Sequence, residues 1–143
     1  MWFNTAMTSF VKEGLTLEVN GPSYHYESNA HGVRPLLELL QSGADLRGYS
    51  LKDRVSGKAA ALLYVKMGIA KVETDLISEA ALSFLLEHHL AVSYRTKVPA
   101  ILNHERSDLC PLEKATLTLS SPEEAVGVIR ARVKALQEKA QKG

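Results

Sequence analysis

The stretch LRGYSLKDRVSGKAAALLYVKMGIAKVETDLISEAALSFLLEHHLAVSY, running from Leu46 to Tyr94, decides the fold. Leu46 to Leu51 reads as a strand. Ser56 then caps a helix from Gly57 to Met67, whose Ala59, Ala60, Ala61, Leu62, Leu63 and Val65 are apolar on nearly every side, as in a helix packed centrally. Lys71 to Ile77 is the next strand, Ser78 caps a helix carrying Ala81, Leu82, Leu85 and Leu86, and Leu90 to Tyr94 forms a further strand. Strands alternating with helices in this way call for a sheet whose later strands run parallel.

Upstream, Phe3, Met7, Phe10 and Val11 recur at helical spacing from about Trp2 to Glu13, and Gly14 stops the run. Leu15, Leu17 and Val19 alternate with polar residues, Asn20-Gly21 supplies turn chemistry, and Tyr24 and Tyr26 follow, which together predict a β-hairpin. Pro35 suits a first helical position, Leu36, Leu37, Leu39 and Leu40 give that helix its apolar face, and Gly43 closes it. Downstream, Ser121-Pro122-Glu123-Glu124 opens a helix spanning about 122–140, with Val126, Ile129, Val133 and Leu136 inward. The expected architecture is one α/β domain over residues 1–143, built as three layers, helix on mixed sheet on helix, with an N-terminal helix and hairpin.

Composition narrows the function. At 143 residues and 45% hydrophobic content the chain is long enough for one core and too short for two ordinary domains. A net charge of +1 with mixed signs offers no field for a phosphate backbone and no polybasic arm for a membrane, so neither nucleic acid nor membrane is an expected partner. The single cysteine, Cys110, excludes an intramolecular disulfide and fits a reducing, cytoplasmic setting. Met1 to Phe10 lacks the charged and apolar regions of a signal peptide, and no apolar run reaches the roughly 18 residues of a membrane span.

In parallel sheets ligands bind beyond the carboxyl ends of the strands, which directs attention to Lys52–Lys58, Ile77–Glu79 and Thr96–Lys114. Ser56, Gly57 and Lys58 open a helix whose free N–H groups and dipole favour an anion, although capping alone also explains these residue types. A P-loop is excluded, because it needs Gly at Lys52 and Ser or Thr at Ala59. In Cys110-Pro111-Leu112-Glu113-Lys114 the proline places Cys110 at a helix N-cap and Glu113 at the third position. A thiol there gains thiolate character, helped by Lys114 and Arg106; the plain alternative is a small buried hydrophobe. Glu79, after the cap Ser78, sits where a carboxylate either orients a ligand, acts as a base, or only complements the helix dipole. Asn103, Arg106 and Asp108 crowd a polar loop suited to binding or simply to solvation. No metal site is expected: there is one cysteine, the helix where an H-x-E element belongs reads Ser56-Gly57-Lys58-Ala59-Ala60, and a pairing of His104 with Cys110 has nothing further to complete it.

The segments GVRPLLEL at 32–39, VSGKAAALL at 55–63, LISEAAL at 76–82, VSY at 92–94, VPAILN at 98–103 and CPLEK at 110–114 occur in an order that resembles a prokaryotic domain-of-unknown-function family with a cytidine-deaminase-like fold. That family usually has C-P-M-E, where this chain has Leu112, a volume-conserving exchange. The resemblance implies a deaminase-like scaffold without the zinc site, and implies no activity.

The leading functional expectation is a small-molecule-binding domain for an anionic or nucleotide-like compound, without a cofactor, its pocket drawn from Arg34, Ser56, Gly57, Lys58, Ser78, Asn103, Arg106 and Lys114. Next comes an enzyme with Cys110 as nucleophile or sulfur carrier and Glu79 as acid/base. Third is a non-catalytic interaction module, and self-association stays open under all three.

Overall fold

In the computed structural model the described residues are 9–103 and 105–142. They form β1 (Leu17–Asn20), β2 (His25–Ser28), α1 (Arg34–Ser42), β3 (Ser50–Ser56), α2 (Lys58–Met67), β4 (Lys71–Ser78), α3 (Glu79–Glu87), β5 (Ala91–Val98), α4 (Pro111–Thr116) and α5 (Pro122–Lys142). One five-stranded mixed sheet has the order β2-β1-β3-β4-β5, with β1 antiparallel to both neighbours and β3, β4 and β5 parallel. Right-handed crossovers through α2 and α3, taken in the same direction along the sheet, put both helices on one face.

Register explains why that face is the core. Val19, Leu51, Val72 and Val92 stand side by side across four strands, while the neighbouring row reads Glu18, Lys52, Glu73 and Ser93. Side chains alternate between faces along a strand, so one face is apolar and the other carries charges of alternating sign. Helix α2 lies against the apolar face and touches each of the other four helices. Its run from Ala59 to Tyr64 is buried all round, which accounts for its unbroken apolar sequence.

The polar face is crossed by residues 9–15. The Phe10 N–H donates to Asp75 Oδ1 at 2.9 Å, the Lys12 N–H donates to Glu18 Oε2 at 2.9 Å, and Arg54 Nη2 donates to the Lys12 carbonyl at 3.1 Å. Those N–H groups are committed to side chains of the sheet, so 9–13 is not helical, contrary to the expected N-terminal helix; the rest of that expectation, 1–8, lies outside the described residues. Among the described residues the helices therefore make one layer on the sheet, and the expected second helical layer is not seen.

Two further expectations shift. The strand placed at Leu46–Leu51 is instead β3, Ser50–Ser56, because Leu46 and Tyr49 are buried in a turn held by Gly48 N–H to the Gly68 carbonyl at 2.9 Å and Ala70 N–H to the Tyr49 carbonyl at 2.9 Å. The cap of α2 is Gly57, with no side-chain cap bond, and not Ser56. The hairpin, the α1 closure at Gly43 with φ 78°, the Ser78 cap of α3 and the start of α5 at Pro122 are as the sequence predicts.

The hairpin turn packs on Tyr49. A methyl group on Gly21 would lie 2.3 Å from the Tyr49 ring, which is 5% exposed and pinned by a hydroxyl contact to Ser23 at 3.1 Å. Gly21→Ala is therefore expected to destabilise the fold by about 1–3 kcal/mol through overpacking. Urea denaturation checks this; an unchanged midpoint would show that the turn moves freely from Tyr49.

Candidate functional site

The ends of β3, β4 and β5 converge on one side chain, Glu113 of α4, which is 2% exposed. Its Oε1 accepts the Lys58 N–H at 2.6 Å and the Ser78 hydroxyl at 3.4 Å, and its Oε2 accepts the Ile101 N–H at 2.7 Å. The carboxyl group thus fastens the start of α2, the end of β4 and the loop after β5 to α4. A helix N-terminus favours negative charge, and here the protein supplies it from its own chain. The approach is close: a methyl group on Gly57 would lie 3.1 Å from Glu113 Oε1 and 3.2 Å from Ile101 Cγ1, so a larger residue there requires those side chains to give way.

Beside Glu113 lies a cavity of about 450 Å³. Leu17 of β1, Leu36 of α1, Ala59 and Ala60 of α2, Ile101 and Leu112 give it largely apolar walls, and Thr16, His31, Asp53, Arg54, Cys110 and Glu113 supply polar groups. Cys110 is half-buried at the N-cap of α4, where its carbonyl accepts the Lys114 N–H at 2.9 Å and its side chain makes no cap bond.

Asp53 ends a buried polar chain. Its Oδ2 is bonded to the Tyr64 hydroxyl, which meets Ser56 Oγ at 2.8 Å; Ser56 donates to Thr74 Oγ1 at 2.9 Å, and Thr74 donates to the Leu76 carbonyl at 3.2 Å. Tyr64, Ser56 and Thr74 are fully buried. Those four links have only three hydroxyl protons between them, so all four are satisfied when the Asp53 carboxyl carries the fourth. Burial acts in the same direction, raising the Asp53 pKa from 3.8 to about 7 against the opposing bonds from Tyr64 and from the Val55 and Arg54 N–H groups, with Asp75 adding a smaller push upward. Tyr64 is raised well above its ordinary value, first by burial and then by the Asp53 charge.

The residues expected to form the site are distributed as follows. Gly57 and Cys110 line the cavity. Ser56 and Ser78 are buried in the bonds just described. Lys58 is 7% exposed, yet its ammonium donates to the Leu117 carbonyl at 3.1 Å and lies 5.2 Å from the centre of the Phe84 ring. Burial lowers its pKa, with Glu113 and Glu87 pulling the other way. Glu79 is exposed on the first turn of α3 and does not line the cavity that holds Cys110. Arg34 is exposed over an adjoining cleft against Val133 and Leu136, which shares His31, Val33 and Leu112 with the cavity, whereas Asn103 and Arg106 line another neighbouring cleft with Val98 and Pro99. Lys114 pairs with Asp108 at 2.6 Å on the surface. His104 lies outside the described residues, and among the described residues no three of His, Cys, Asp and Glu group as metal ligands.

The anion-binding arrangement expected at 56–58 is therefore satisfied from within, and the groups that do face the cavity include Asp53, which sequence reasoning passed over. Tyr64 and Glu113 carry no local signature beyond their places in helices. Their partners lie 11 and 55 positions away, so no local spacing marks them.

The family described as "Domain of unknown function (DUF1893)" matches residues 5–133. The chain belongs to the DUF1893 family. A crystal structure of a DUF1893 family protein from Thermotoga maritima is similar, with 30% identity and a TM-score of 0.76, covering 82% of this chain and 80% of that one. No curated protein matches. Among the described residues of this DUF1893 chain, no helix is long and apolar enough to cross a membrane.

Proposed function

We propose that this DUF1893 domain binds a small molecule in the cavity between β1, β3, α1, α2 and α4, on a scaffold that its sequence likens to the cytidine deaminases. The observation that carries the reading is the cavity itself: about 450 Å³, mostly apolar, with a few polar groups at one end of a parallel sheet. Ligand sites have this size and this balance of wall chemistry, and they occupy this place in α/β sheets. An anionic head group, part of the original expectation, finds less support, because Glu113 already occupies the N-terminus of α2 and Lys58 points to Leu117.

A thermal-shift screen tests the reading. A ligand at a hundredfold excess over Kd stabilises by about 2.7 kcal/mol, several degrees in midpoint. The same compound should slow alkylation of Cys110, which lines the cavity. Ala60→Leu should abolish both effects by filling the space, and Lys58→Ala should leave both intact. Phosphate-bearing compounds acting alone, with the effect lost in Lys58→Ala, would overturn the reading.

A further inference from the structure

We infer that the cavity is built for a ligand bearing a cationic nitrogen, an amine or amidine on an apolar body, with Asp53 as its counter-ion. This rests on the cavity being a ligand site and specifies what it holds. The walls contribute two carboxyl groups, Asp53 and Glu113: Glu113 ties together backbone N–H groups of two distant segments, whereas Asp53 meets the Tyr64 hydroxyl and the N–H groups of its own neighbours Arg54 and Val55.

The charged groups around Asp53 leave it without a cation. Arg54, next along β3 and itself part of the cavity lining, commits its guanidinium to the Leu15 carbonyl at 2.5 Å, the Lys12 carbonyl at 3.1 Å and Ser9 Oγ at 3.2 Å, and stands 3.5 Å from Asp75. Asp75 of β4 is itself acidic, Tyr64 of α2 is neutral, and Cys110 and Glu113 bring no positive charge. His31, before α1, is exposed on the cavity lining. Among the described residues no Lys or Arg forms an ion pair with Asp53.

Below about pH 7 and with no cation beside it, Asp53 therefore holds its proton, which completes the chain through Tyr64, Ser56 and Thr74. An arriving cation makes the ionised form favourable. The carboxyl proton leaves to solvent, or passes to a neutral amine that becomes the ammonium, and charge balances in either case. Tyr64 then donates to the carboxylate, Ser56 to Tyr64 and Thr74 to Ser56, so the same three hydroxyls serve the charged state with the Leu76 carbonyl released. The chain reverses without any side chain having to move.

Three probes of one shape decide it: benzamidine, cationic; benzamide, neutral; and benzoate, anionic. Amide resonances of Gly57, Ala60 and Ile101 report occupancy by NMR titration of the full chain. Benzamidine is expected to bind at least tenfold more tightly than benzamide, with benzoate silent, and its Kd should fall about tenfold from pH 6 to pH 8 as Asp53 gives up its proton. Asp53→Asn keeps an oxygen for the Tyr64 hydroxyl and should remove both the preference and the pH dependence. Should that variant fail to fold, the wild-type pH series gives the answer. Equal binding of benzamidine and benzamide, or a flat pH series, overturns the cation while leaving the cavity as a ligand site. No shift from any of the three probes overturns both.

Discussion

Glu113→Ala is expected to lower the thermal midpoint by about 10 °C, the largest effect of any single side chain discussed. The carboxyl group accepts two backbone N–H groups, from Lys58 and Ile101, and both would be left buried or nearly so without a partner. A stranded buried donor costs about 1–3 kcal/mol, so the pair with the lost packing comes to about 3–5 kcal/mol. For a chain of 143 residues each kcal/mol shifts the midpoint by roughly 2–4 °C. Glu113→Gln keeps the shape and one acceptor oxygen but turns an NH₂ toward one of the donors, so its loss should be about half as large. Calorimetry or chemical denaturation reads both variants. If Glu113→Ala melts within about 2 °C of wild type, the three strand ends are not held by this residue and the picture of a carboxyl keystone is wrong.

Asp53→Asn should have the opposite sign at high pH. A carboxyl whose pKa rises from 3.8 in the unfolded chain to about 7 in the folded one binds its proton more tightly when folded. Between about pH 4 and pH 7 the native state holds more protons than the unfolded state, so stability from this group is fully present at low pH and is lost as pH climbs through that window. Three pH units correspond to about 4 kcal/mol, an upper figure, since Asp53 borders a cavity that admits water. Asparagine has no such charge to bury. The variant's midpoint relative to wild type should rise steadily from pH 4 to pH 8, by several degrees in total, and then level off. Parallel profiles across that range would mean that Asp53 ionises freely in the folded protein, and the inference of a protonated carboxyl with no cation beside it would fall with them.

Much of the architecture could be read from local pattern. The alternation through Leu17 and Val19, the Asn20-Gly21 turn, the saturated apolar run of α2, the Ser78 cap and the Ser121-Pro122 start of α5 each express a preference of a few adjacent residues, and each stands in the fold where the chain predicts it. Strand β3 shows the limit of such reading. Ser50-Leu51-Lys52-Asp53-Arg54-Val55-Ser56 looks like a charged loop, because Lys52 and Arg54 face the polar side of the sheet and Asp53 bonds to Tyr64 of another element.

The sequence by itself determined a mixed α/β fold with a buried central helix, since hydrophobic periodicity and caps are short-range properties. Tertiary structure alone decided where the chemistry lies. The helix start that looked open to an anion is closed by a carboxyl from 55 residues downstream, and the lysine beside it bonds 59 residues away. A strand aspartate with no local distinction becomes the polar group at the wall of an apolar space. Long-range hydrogen bonds and burial set those roles, and both depend on which segments meet, which no window of neighbouring residues contains.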